Sequence, residues 1–161
     1  MSASTIALVA VAFLFAVYVI VQVRPAMLRR GRRATTGIRE AHDRARTATT
    51  PDARALALVE AGEVAAKAGR WISAAGSFLR ALRSDPSSAA IVTRTAAAMA
   101  PRPRLLESIL LRKVAAFAPA TPPGDPALVA TLEELKALYE KRRDKGKARL
   151  VEMLLGRSTT S

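Results

Sequence analysis

The chain has 161 residues and no cysteine, and its 26 lysine and arginine side chains against 13 aspartate and glutamate give a net charge of +13. The lack of cysteine excludes disulfides, thiolate nucleophiles and cysteine metal sites. The single histidine, His42, lies in a polar segment and is expected to be exposed to solvent rather than to bind a metal. Half of the residues are hydrophobic, and beyond the first 23 they are mostly alanine and leucine, which favour helix over strand. We therefore expect an all-α protein.

The first 23 residues carry no charged side chain. Within them, residues 5–23 form a run of nineteen residues interrupted only by Gln22, which as a helix is about 28 Å long, close to the thickness of a bilayer core. Five arginines follow directly, namely Arg24, Arg29, Arg30, Arg32 and Arg33. This pattern predicts a transmembrane anchor at residues 1–23, with the amino terminus outside and the remaining chain in the cytoplasm.

The composition leads us to expect a single-pass protein of a bacterial inner membrane, whose five arginines contact anionic lipid headgroups. A cleaved signal peptide is the main alternative, but no basic residue precedes the apolar run and residues 21–25 are a poor cleavage context. A buried helix of a soluble domain is a further alternative. Residues 24–50 then form a basic juxtamembrane connector. It ends where Thr50 can cap a helix that begins at Pro51.

Two short amphipathic helices are predicted between Leu58 and Pro86. The small residues on the first helix allow close approach of the second. Gly69 and Pro86, seventeen residues later, mark the ends of the two helices. The residues expected to pack the two helices together are Gly62, Gly69, Trp71, Ala74, Phe78, Ala81 and Pro86.

This set of residues resembles the tetratricopeptide (TPR) repeat, a helical hairpin with a 34-residue period. All of them except Trp71 stand at signature positions, whereas Leu58, Ala61 and Ala65 replace the usual tryptophan, leucine and tyrosine. The resemblance implies a good repeat at residues 55–88 and a degenerate repeat at 89–122. An ordinary alanine-rich hairpin and an unrelated second hairpin remain the alternatives.

Residues 121–126, with three prolines and a glycine, are the strongest helix breaker in the chain. Asp125 is expected to cap a helix with an apolar stripe of Leu128, Leu132, Leu135 and Tyr139. Repeat arrays need a terminal helix with one polar face, so residues 123–156 are predicted to form one or two capping helices, with Gly146 as a kink or end. Residues 157–161 are expected to be a disordered tail.

No phosphate loop, nucleophile motif or metal-ligand pattern occurs in the sequence, so we expect neither an enzyme nor a cofactor. The TPR resemblance implies that the first helix of each pair lines a groove for a protein partner. In this sequence the corresponding residues are Val59, Glu63, Ala66, Lys67, Thr93 and Ala97.

These features together predict a membrane-anchored TPR-like adaptor that binds or positions a protein partner at the cytoplasmic face. The alternative is a structural accessory subunit of a larger membrane complex. Binding of nucleic acid through the arginine-rich connector is disfavoured, because the chain has only seven aromatic residues, three of them in the first 23.

Overall fold

The computed structural model describes residues 35–117 and 124–159 together with Tyr18. These two ranges contain seven helices, and no strand occurs within them, so the all-α class predicted from composition is confirmed. The helices are α1 (residues 35–47), α2 (Pro51–Lys67), α3 (Trp71–Ser84), α4 (Ala89–Met99), α5 (Pro103–Phe117), α6 (Pro126–Lys141) and α7 (Lys145–Thr159).

The predicted transmembrane helix, and with it the single-pass localisation, is contradicted. Among the described residues no helix combines the length and the apolar character that a bilayer crossing requires. Helix α2, for example, has 17 residues and carries charged side chains along its exposed face, whereas a span needs about 20 mostly apolar residues. The segment that suggested an anchor, residues 1–23, and the five arginines after it lie outside the described residues, apart from Tyr18.

The chain divides into two units, Met1–Thr36 and Gly37–Ser161, and all packing described below lies within the second. Its first hairpin begins as the sequence predicts. The hydroxyl of Thr50 accepts a hydrogen bond from the Ala53 amide at 3.2 Å, and Pro51 takes the first helical position of α2, where the missing amide hydrogen costs nothing.

A tight turn joins α2 to α3. Gly69 has a φ of 75°, a left-handed conformation that glycine adopts without steric cost. The Arg70 amide donates to the Ala65 carbonyl at 2.8 Å and the Gly69 amide to Ala66 at 2.9 Å. This pair of hydrogen bonds satisfies carbonyls at the end of α2 and reverses the chain.

Helices α2 and α3 approach closely because Gly62 has no side chain. A Cβ atom built on Gly62 would lie 2.7 Å from Cε1 of Phe78, so the phenyl ring fills the space that any larger residue would need. Ala74 and Ala81 of α3 are fully buried on the same interface, as is Phe78 itself. Of the residues predicted to pack the hairpin, Gly69 and Pro86 are exposed, Trp71 is half-buried against the core, and the remaining four lie within the core.

The helices stack as three successive hairpins. Helix α4 packs on both α2 and α3, α6 packs on both α4 and α5, and α7 packs on α6. The first helices of the pairs, α2, α4 and α6, thus lie side by side in chain order. The helices α6 and α7, predicted as caps, occupy the place of a third hairpin.

The turn before α7 repeats the geometry of the first turn. Arg143 has a φ of 58°, the Asp144 amide donates to the Tyr139 carbonyl and the Arg143 amide to Glu140, both at 2.9 Å. Helix α6 therefore ends before this turn, and Gly146, expected to kink or end it, lies in the first turn of α7.

Glu107 of α5 fixes the third hairpin to the second. Its carboxylate accepts hydrogen bonds from the hydroxyl of Tyr139 and from Nζ of Lys147, both at 3.1 Å, and it also pairs with Arg142. The hydrogen bond from Lys147 is the main cause that lowers the pKa of the Glu107 carboxyl. One carboxylate therefore links helices α5, α6 and α7.

Helix α1 packs on the first hairpin. Ile38, Ala41 and Ala45 are buried, and Arg44 pairs with Glu60 of α2 at 2.6 Å. The part of the predicted connector that the structure describes is thus largely a packed helix. His42 lies on its face toward α3 and is half-buried, contrary to the expectation that it is exposed.

Candidate partner-binding surface around helix α4

The six residues predicted to line a groove differ in exposure and in the contacts that they make. Lys67, Thr93 and Ala97 are exposed, and Ala66, although buried, lines a groove. Val59 has no exposed surface, so its predicted place in the groove is wrong. Helix α2 is covered by α1, α3 and α4 on different sides, and this leaves a narrower exposed face than an isolated hairpin would have.

Glu63, predicted to face a partner, is instead held within the protein. Its Oε1 accepts a hydrogen bond from Nε of Arg94 at 2.9 Å, and the two side chains are 27% and 39% exposed. This hydrogen bond raises the pKa of the Arg94 guanidinium. The pair joins α2 to α4 and neutralises the carboxylate that the sequence offered to a ligand.

A first groove lies between the carboxyl-terminal halves of α2 and α4. Its floor is made of alanines, and the end nearest the helix termini is closed by the ring of Trp71 and by Pro101. The lining residues are Glu63, Ala66, Lys67, Trp71, Arg94, Ala97, Ala98 and Pro101. Because the floor lacks large side chains, the backbone of a bound segment can come close to the helices.

A second groove lies on the other side of α4, between α4 and α6. It too has an alanine floor, and it is lined by Ala96, Ala100, Pro103, Leu106, Glu134, Ala137, Leu138, Lys141 and Arg142. Burial, and to a lesser extent the neighbouring Glu133, raises the pKa of the Glu134 carboxyl. The carboxylate in this groove is thus more easily protonated than an exposed one.

A third depression connects the two grooves at the turn between α4 and α5. It is lined by Trp71, Pro101, Arg102, Pro103, Arg104 and Leu105. It shares Trp71 and Pro101 with the first groove and Pro103 with the second. We call the combined lining of the three depressions the turn-edge surface, because it lies where the first helix of each pair ends.

The guanidinium of Arg102 lies over the ring of Trp71, 5.2 Å from the ring centre. This cation–π contact holds the turn against the start of α3. Trp71, expected only to pack the hairpin, is half-buried: it packs against the core and also forms a wall of the surface. Pro86 is exposed, and its carbonyl accepts a hydrogen bond from Nζ of Lys113 at 2.5 Å.

Sequence reasoning missed the residues that lie after α4 and those contributed by α6. Arg102 follows the helix end, and Ala137 and Lys141 belong to a helix that was predicted to be a cap. The position of Lys141 in the last turn of α6 is equivalent to that of Lys67 in α2, so a comparison of the two helices would have found it.

Metal-ligating side chains do not cluster in the described part of the chain. Groups of three or more histidine, aspartate or glutamate side chains placed to hold a metal ion do not occur there. His42 contacts Ser77 and Arg80 rather than a second base or acid.

The fold thus defines an all-α array of three stacked helical hairpins with a grooved edge. Comparisons with models of known protein families, with curated proteins and with solved structures give no match. The TPR resemblance of the first hairpin therefore stays a prediction.

Proposed function

We propose that the chain is a TPR-like helical-repeat adaptor that binds a segment of a partner protein along the turn-edge surface. The observation that carries the proposal is the continuity of this surface, since Trp71, Pro101 and Pro103 join the grooves on both sides of α4. A bound segment would therefore contact all three hairpins at once.

The chemistry of the grooves supports binding of a peptide or helix. Ala97, Ala100 and Ala137 are exposed to solvent, and together with the neighbouring alanines they form an apolar floor with little side-chain entropy to lose on binding. Trp71 adds a large apolar wall of the kind that often dominates the energetics of protein interfaces.

A second candidate function, a structural accessory subunit of a larger complex, is favoured by a different surface. Helix α7 carries Leu150, Met153 and Leu154 at 58%, 55% and 47% exposure, and these lie on one helical face because they are three and four residues apart. An exposed apolar stripe of this kind is common where a permanent neighbour packs.

Site-specific photo-crosslinking in cells distinguishes the two functions. A photoreactive amino acid is placed at Ala97 or Ala137 for the grooves, at Leu154 for α7, and at Ala116, an exposed residue of α5, as the control. The adaptor predicts that Ala97 and Ala137 crosslink to one common protein and that Ala116 does not. Crosslinks at Leu154 alone favour the subunit, and the absence of crosslinks at both groove positions contradicts the adaptor.

A further inference from the structure

We infer that the turn-edge surface binds an acidic peptide, whose carboxylates pair with Lys67, Arg102, Arg104 and Lys141. This inference rests on the proposed adaptor function and names the chemistry of its partner. Three features support an acidic partner: the charge of the surface, the placement of its cations relative to the helix ends, and the contact between Arg102 and Trp71.

The surface has a large excess of positive charge. Its lining contains six lysine or arginine residues and two glutamates. One of these glutamates, Glu63, is neutralised by Arg94 at 2.9 Å. Of the six cations, Arg94 and Arg142 pair with carboxylates of the protein, whereas Lys67, Arg102, Arg104 and Lys141 are exposed and make no ion pair within the described residues.

These four exposed cations share one edge of the molecule. Lys67 and Lys141 lie in the last turns of α2 and α6, and Arg102 and Arg104 flank Pro103, the first residue of α5. Because α2, α4 and α6 lie side by side in the same sense, their carboxyl-terminal ends meet at this edge. An extended peptide that crosses the edge would therefore pass all four side chains.

Local helix energetics do not explain all four. A lysine in the last turn of a helix is stabilised by the negative end of the helix dipole, which accounts for Lys67 and Lys141. Arg102 lies between two helix ends, since its amide donates to the Met99 carbonyl of α4 at 2.8 Å and its carbonyl accepts the first helical hydrogen bond of α5, from the Leu106 amide at 3.0 Å. Arg104 follows within the first turn, and that turn contains no acidic residue.

A cation at the positive end of a helix dipole destabilises the helix. Arg104, within the first turn of α5, therefore opposes the stability of that helix in the free protein, whereas Arg102 lies between the ends of α4 and α5. An anionic group bound there would be attracted both by the arginines and by the helix end. The placement thus favours a bound carboxylate over a purely structural role for Arg104.

The apolar part of the surface favours a peptide over nucleic acid. Proteins that bind single-stranded nucleic acid usually offer several aromatic faces on which bases stack. The turn-edge surface has one aromatic residue, Trp71, and the guanidinium of Arg102 already lies over its ring at 5.2 Å. The alanine floors on both sides instead suit the small and aliphatic side chains of a peptide.

The inference is tested with the full-length protein and three fluorescently labelled probes, using anisotropy. The probes are a peptide of about twelve residues that alternates glutamate with leucine and alanine, the same peptide with lysine for glutamate, and single-stranded DNA of similar length. The edge variant combines Lys67→Gln, Arg102→Gln and Arg104→Gln. The control variant removes the same charge elsewhere through the exposed Arg83→Gln, Arg112→Gln and Arg149→Gln.

The acidic peptide is expected to bind the unaltered protein and the control variant, and to bind the edge variant about tenfold or more weakly. Binding should weaken as salt is added, because exposed charges are screened. The lysine peptide should not bind. Circular dichroism of each variant ensures that a loss of binding is not a loss of fold.

Three results would overturn the inference. The first is an equal loss of peptide affinity in the edge and control variants, which indicates attraction by net charge alone. The second is tighter binding of DNA than of the acidic peptide. The third is no binding of the acidic peptide. The photo-crosslinks at Ala97 and Ala137 separate this failure from that of the adaptor. If the crosslinks form although the acidic peptide does not bind, the adaptor function stands and its partner is not acidic. If the crosslinks are absent as well, both the inference and the adaptor function fail.

Discussion

The Cε1 atom of Phe78 lies 2.7 Å from the position that a Cβ atom on Gly62 would occupy. Phe78 is fully buried, so its ring has little room to move away. The distance between α2 and α3 therefore depends on the absence of a single methyl group.

We predict that Gly62→Ala lowers the free energy of unfolding by about 1–3 kcal/mol, because an overpacked core must shift its backbone or side chains. Gly76 of α3 provides the control, since no atom lies within 4 Å of the position that a Cβ atom would take there. Gly76→Ala is expected to stabilise the protein by about 0.5–1 kcal/mol through the higher helix propensity of alanine. Urea denaturation measures the free energy of unfolding of both variants. Equal effects of the two substitutions would show that the close packing at Gly62 is unimportant.

A second prediction concerns the two similar turns. Arg143 adopts a φ of 58° at the position where Gly69 adopts 75° in the first hairpin. Arginine is disfavoured in this conformation and glycine is not. Arg143→Gly should therefore raise the free energy of unfolding by about 1 kcal/mol, whereas Gly69→Ala should lower it by a similar amount. A destabilised Arg143→Gly variant, measured by thermal unfolding, would mean that the arginine side chain contributes a contact that outweighs the strain.

Two buried threonines form a natural pair for a third prediction. The hydroxyl of Thr131 donates to the Ala127 carbonyl at 2.6 Å. The hydroxyl of Thr95, equally buried, has no hydrogen-bond partner in the part of the chain that the structure describes. Because a buried hydroxyl without a partner is costly, Thr95→Val is expected to stabilise the protein by about 1 kcal/mol.

Thr131→Val, in contrast, removes a hydrogen bond along with the hydroxyl and should be neutral or destabilising. The comparison is made by calorimetry on both variants. If Thr131→Val stabilises as much as Thr95→Val, then apolar packing rather than the unpaired hydroxyl is the cause.

A fourth prediction concerns acid stability. Burial, followed by Arg80 and Arg46, lowers the pKa of His42 from its usual value of 6.5. In the structure Nε2 of His42 lies 3.5 Å from Oγ of Ser77 and 3.4 Å from the guanidinium of Arg80. A proton on the ring would thus be repelled where α1 packs on α3.

The direction of the pH dependence of stability follows from proton binding to His42. The unfolded chain binds a proton at His42 at higher pH than the folded protein does, so stability is lost as the pH falls below 6.5. We expect the free energy of unfolding to decrease from about pH 7.5 to about pH 5.5, and this decrease to be smaller in His42→Gln. Because the chain has a single histidine, an unchanged slope in the variant would rule out His42 as its origin.

Several features of the structure follow from short stretches of sequence. The start of α6 was predicted from Asp125 and Pro126, and the Asp125 carboxylate indeed accepts hydrogen bonds from the amides of Ala127 and Leu128 at 2.8 and 3.0 Å. The turn at Gly69 and the close packing at Gly62 were predicted in the same way. Caps, prolines and glycines act over a few residues, which is why their consequences can be derived from sequence alone.

Other predictions were wrong because they needed the surroundings of a residue. Val59 has the spacing of a groove residue, yet neighbouring helices bury it completely. The apolar run at residues 5–23 suggested a membrane span, whereas none of the helices in the described ranges can cross a bilayer. Periodicity reports that a helical face is apolar, as at Val59, but does not report which helix covers it.

By itself the sequence determined the all-α class, the starts of α2 and α6, the turn at Gly69 and the close packing of the first hairpin at Gly62. Only the tertiary structure decided that α6 and α7 form a third hairpin, that Glu63 is paired with Arg94, and that Arg102 lies over Trp71. The two side-chain contacts join residues about thirty positions apart, and the third hairpin is recognised by its packing on the second. Such contacts depend on how the helices stack, because the stacking brings together side chains whose local sequences carry no information about each other.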